Sequence, residues 1–86
     1  MIIRLTEAER IFLTTVVLKN NSSLMNIIQQ SSKDKGKFSI EIDNILADEI
    51  RDLCSEQLQI SGFDENYNLN EDGKMLENLI DNFYVD

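Results

Sequence analysis

The sequence predicts a predominantly helical α+β fold, with three to four helices and a small two-stranded β patch in a single compact domain over residues 1–86. Three observations carry that prediction. Residues 43–62 and 70–83 each pair a helix-capping side chain with apolar residues spaced three and four apart. Phe38-Ser39-Ile40-Glu41-Ile42-Asp43 alternates apolar and polar with the period of two that marks a half-buried strand. Finally, 86 residues with 42% hydrophobic and 28% charged side chains suit one small globular core, and neither a disordered nor a fibrous chain.

A lone strand over 38–42 needs a mate, and Ile2-Ile3-Arg4-Leu5 is the natural one; so small a patch must lean on helices to be stable. Thr6-Glu7-Ala8-Glu9 then fits a capping box, in which the Thr6 hydroxyl and the Glu9 carboxylate each accept from the other residue's amide. The helix it opens runs through Ile11, Phe12, Leu13, Val16, Val17 and Leu18, apolar nearly all round. Because Thr14, Thr15, Val16 and Val17 are β-branched, residues 10–18 have a competing reading as a strand; the cap favours helix. After a connection at 19–23, Leu24, Met25, Ile27 and Ile28 have the spacing of a short helix begun at a Ser cap. Residues 31–37 are polar, contain Gly36 and three lysines, and read as a mobile loop able to hold an acidic ligand.

The third principal helix starts at Asp43 or Asn44, turns Leu46, Ala47, Ile50, Leu53, Cys54 and Leu58 inward, and ends at Gly62 in a left-handed position. The last is capped at Asn70 and carries Met75, Leu76, Leu79, Ile80 and Phe83 on one stripe. The expected core comprises Ile3, Leu5, Ile11, Phe12, Val16, Leu24, Ile28, Phe38, Ile40, Leu46, Ile50, Leu53, Cys54, Leu58, Leu69, Leu76, Leu79 and Ile80.

Composition narrows function. The chain has no His, Trp or Pro and one Cys, so it lacks most side chains that catalyse reactions or bind transition metals near neutral pH. No enzyme and no cofactor are expected. Cys54 sits on an apolar stripe without a histidine to activate it and reads as core packing. The single cysteine and the acidic Glu7 and Glu9 close behind Met1 point to a cytoplasmic protein, and the apolar run Ile11–Leu18 is far short of a membrane span.

The net charge of −8 is unevenly spread. Residues 1–37 set six cations against three acids, a net +3, whereas residues 38–86 set Arg51 and Lys74 against thirteen acids, a net −11. Such a C-terminal part repels nucleic acid and acidic membranes and attracts basic proteins. Asp48, Glu49, Asp52 and Glu56 recur at three and four along the third helix, a carboxylate ladder about 6 Å apart. Asp64, Glu65 and Tyr67 follow directly, with Tyr67 a natural interface anchor and Phe63 expected to fold back between the last two helices.

Three other constellations compete with this reading. Asn68-Leu69-Asn70-Glu71-Asp72-Gly73 begins like a calcium loop, but Leu79 stands where a bidentate Glu is required, which excludes one. Glu49 and Asp52 with Glu77 and Asp81 loosely resemble the paired-carboxylate magnesium site of small all-helical nucleoside-triphosphate pyrophosphatases, although Glu77 to Asp81 is one residue too long. Tyr67-x-Leu69-x-x-x-Gly73-x-x-Leu76-x-x-Leu79-Ile80 resembles the strand-to-helix tail of winged-helix regulators. That family reads DNA through a basic recognition helix; the third helix here is acidic, so DNA binding does not carry over.

The leading expectation is therefore a non-enzymatic inhibitor or adaptor that docks Asp48, Glu49, Asp52, Glu56, Asp64, Glu65 and Tyr67 on a basic protein. The natural case is an immunity protein occluding the groove of a nuclease toxin. Self-association into a homodimer through the apolar surplus at 11–18 is the alternative, and the magnesium pyrophosphatase a minor one.

Overall fold

The computed structural model describes residues 1–84, so Asp86, counted among the acids, lies outside them. The order is β1 (Ile2–Thr6), α1 (Glu7–Phe12) continued by a π-helical stretch (Leu13–Val17), α2 (Ser22–Gln29), β2 (Ser32–Asp34), β3 (Lys37–Glu41), α3 (Asn44–Ser61) and α4 (Glu71–Asn82). The sheet is antiparallel with order β1-β3-β2 and has three strands, not two. β1 pairs with β3 in the register Ile3↔Ile40 and Leu5↔Phe38. The extra strand, β2, comes from the segment expected to be a mobile loop. Ser32, Lys33 and Asp34 are all exposed, so no hydrophobic alternation announces it.

The Thr6 capping box forms as expected, with the Glu9 amide donating to Thr6 Oγ1 at 3.1 Å and the Thr6 amide to Glu9 Oε1 at 2.9 Å. Residues 10–17 are helical, but the helix widens. The Leu18 amide reaches back five residues to the Leu13 carbonyl at 2.9 Å. Thr14 Oγ1 donates to the Arg10 carbonyl and Thr15 Oγ1 to the Ile11 carbonyl, occupying acceptors that a regular α-helical ladder would use. This widening resets the buried stripe. Leu13 and Leu18 are wholly buried, Phe12 and Val16 only partly, and Ile11 faces solvent. The apolar run is thus largely absorbed by the core, with Ile11 left exposed on its outer side.

α2 is capped by Asn21, whose side chain accepts from the Leu24 amide, rather than by a serine. Asp43 caps α3 through the Leu46 amide at 2.8 Å. Ala47, Ile50 and Cys54 of α3 pack with Leu76, Leu79 and Phe83 of the α4 region, against Ile3, Leu5 and Ile40 from the sheet. Burial pushes the Cys54 thiol up to about 12, consistent with a packing role. Phe38 and Leu69, expected in the core, are only half-buried; Ile42 and Phe83, absent from the expected core, are buried.

The α3–α4 joint is made by glycine, though not for the expected reason. Gly62 is right-handed, with φ −85°, so no left-handed cap exists there. Space is what it supplies. A Cβ on Gly62 would stand 2.6 Å from the Leu58 carbonyl oxygen, and one on Gly73 would overlap the Gly62 carbonyl oxygen. Asn70 locks this close approach: its amide donates to the Gly62 carbonyl at 3.0 Å, its Nδ2 to the Ser61 carbonyl at 2.9 Å, and its Oδ1 accepts from the Gly73 amide at 2.7 Å. At the far end of α4, Asn82 Nδ2 donates to Glu9 Oε2, tying the last helix to the first.

Candidate protein-binding face

At about 100° per residue, Ile45, Asp48, Glu49, Asp52, Glu56, Gln59 and Ile60 fall on one arc of α3, opposite Ala47, Ile50 and Cys54. All seven are exposed. The expected ladder of Asp48, Glu49, Asp52 and Glu56 therefore exists as one continuous stripe. It is not uniformly free: Asp48 pairs with Arg51 Nη2 at 2.9 Å, while the Arg51 guanidinium also lies 5.4 Å from the centre of the Tyr84 ring. Glu49, Asp52 and Glu56 have no ion-pair partner among the described residues. Each like-charged i,i+4 pair opposes an isolated helix by a few tenths of a kcal/mol, roughly 0.2–0.5.

Two isoleucines bracket the carboxylates and were not picked out from the sequence. Ile45 is 78% exposed and Ile60 77% exposed, about 22 Å apart along the axis. The signal was present in the chain, since both stand on the polar arc of a helix whose apolar stripe is already complete without them.

The connection after α3 behaves differently. The Asp64 carboxylate is exposed and braces the loop through Oδ1, which accepts from the Asn66 amide at 2.8 Å and the Asn68 amide at 3.0 Å. Glu65 is exposed. Tyr67 is 87% exposed and has φ +62°, a left-handed conformation unusual for a bulky side chain. Phe63 does not fold back as expected: it is 45% exposed, and its backbone forms a bridge with Leu69. Tyr67 consequently sits at a loop tip, not on the strand that the winged-helix resemblance implies, although α4 does open at Asn70.

No group of three or more His, Cys, Asp or Glu among the described residues is placed to hold a metal ion, so Glu49, Asp52, Glu77 and Asp81 do not assemble into a magnesium cluster of that kind. No described helix is long and apolar enough to cross a membrane. The fold and surface define a small α+β domain with an acidic helical face. No protein-family profile, curated protein or solved structure matches the chain.

Proposed function

We propose that this chain is a non-catalytic protein-binding domain that lays the outer face of α3 on a basic protein surface, acting as an immunity-type inhibitor of a nuclease toxin. The observation that carries it is the bracketed stripe: unpaired Glu49, Asp52 and Glu56 between exposed Ile45 and Ile60. Carboxylates at one-turn spacing offer a basic groove the charge pattern of nucleic-acid phosphates, and they steer encounter through a long-range field. The isoleucines supply apolar anchors at either end, with Tyr67 on the adjoining loop as a further contact.

Affinity capture from a lysate of the source cells at low salt tests it, with wild type and Asp52→Lys/Glu56→Lys run in parallel. The expected result is a near-stoichiometric basic protein retained by wild type, released as salt rises, and lost with the charge-reversed chain, which folds normally. Retention of the same protein by both chains removes the α3 face from the mechanism.

A further inference from the structure

The cationic N-terminal part also builds a surface of its own. Arg4 of β1 and Ser39 of β3 are register partners, and Lys37, two residues along β3, faces the same way opposite Asp34 of β2. Ile3 and Leu5 on either side of Arg4 are buried, so Arg4 points away from the core on the outer face of the sheet. With Lys35 from the β2–β3 turn, these residues line a concavity of about 250 Å³. Arg4, Lys35 and Lys37 have no ion-pair partner among the described residues, even though Asp34 lines the same hollow. Lys33 is not part of it; its ammonium lies 5.9 Å from the Phe38 ring, which Arg10 also covers at 4.5 Å.

A second, independent feature marks the same place. Lys35 and Gly36 form a two-residue hairpin turn with φ +52° and +82°, the both-positive pattern of a type I′ turn. Asn or Gly normally fills the first position, and a lysine held there is strained. Strain of this kind concentrates where a side chain is needed for binding. Here it holds a third cation over a hollow already carrying Arg4 and Lys37.

We propose that this hollow is an oxyanion site that binds the phosphoryl group of a small molecule. Three unpaired cations and the Ser39 hydroxyl provide donors, and Arg4 supplies a planar fork suited to two phosphate oxygens. The volume falls below the roughly 300–1,000 Å³ of sites that enclose whole drug-sized ligands, and no aromatic ring lines it. It therefore takes a phosphoryl group, free or at the end of a larger molecule, and has no platform for stacking a base. The inference is independent of the α3 face.

Inorganic pyrophosphate is the first probe and adenosine triphosphate the second, each titrated at constant ionic strength while backbone amide resonances are followed. Saturable shifts confined to residue 4 and residues 34–39 are expected with both probes. Affinity falls at least fivefold in Arg4→Gln and in Lys35→Gly, whereas Lys35→Gly melts at a higher temperature than wild type because glycine relieves the turn. Should Arg4→Gln fail to melt cooperatively, Lys37→Gln replaces it with the same expected loss. Shifts that do not saturate, that are equally large around Lys19 and Lys74, that appear with adenosine triphosphate but not pyrophosphate, or that persist unweakened in the variants, overturn the site.

Discussion

The outer face of α3 and the outer face of the sheet turn their backs on the same core, yet they carry opposite charge on different foundations. The α3 face is carried by a regular 18-residue helix clamped to α4 through a backbone-to-backbone approach at Gly62 and Gly73. The sheet face is carried by a three-residue edge strand and a turn with a strained lysine. Charge imbalance along the chain has thus become charge imbalance between faces. In the helix the local cost is repulsion spread over several carboxylates, which the proposed basic partner would relieve; in the hairpin it is conformational and sits in one residue.

The deepest way to break this comparison is at the α3–α4 joint. Gly73→Ala drives a methyl group into the Gly62 carbonyl and is expected to destabilise by about 2–3 kcal/mol in urea unfolding. Asn70→Ala removes two bonds, the cap from the Gly73 amide and the one donated to the Ser61 carbonyl, while leaving the helices intact; a loss of about 1–2 kcal/mol is expected by the same measurement. Neither change touches the acidic stripe, so any loss of partner binding should follow the unfolded fraction alone.

High pH probes the inner side of α3. The folded state raises the Cys54 thiol from its ordinary 9.0 to about 12, so the unfolded chain gives up that proton first. Stability attributable to Cys54 is accordingly full below pH 9 and falls between pH 9 and 12, by about 1 kcal/mol per unit. Comparing the pH slopes of wild type and Cys54→Ala isolates this term, because lysine and tyrosine titrations are common to both. At the hairpin the sign reverses: Lys35→Gly is expected to stabilise by about 0.5–1 kcal/mol in thermal or urea unfolding, the smallest of these effects.

Local chemistry was the part of the fold legible in the chain. Thr6, Asp43 and Asn70 cap the helices their side chains announce, and the inward stripe of α3 at Ala47, Ile50 and Cys54 follows from spacing alone. What the sequence concealed depended on contacts between distant segments or on main-chain adjustments. β2 has three exposed polar residues and exists because β3 offers it an edge. The five-residue step of the π-helical stretch brings Leu18 onto the buried side of Leu13, where a fixed period of 3.6 would set it near the exposed Ile11. Gly62 reads as a left-handed cap by position, whereas the space it leaves is taken by Leu58 one turn earlier, and its carbonyl in turn requires a glycine at Gly73. For the candidate face, the carboxylates were legible and the flanking isoleucines were not used. The loop-bracing bonds from the Asn66 and Asn68 amides to Asp64 depend on the turn's backbone path and carry no sequence periodicity.

The central claim is that the α3 face occupies the place of nucleic acid on a basic partner. The most direct test mixes the captured partner with a fluorescent oligonucleotide and follows its anisotropy as this protein is added. One equivalent of wild type is predicted to release the oligonucleotide, with Asp52→Lys/Glu56→Lys releasing none at the same concentration. An oligonucleotide that stays bound while this protein joins the complex contradicts occlusion.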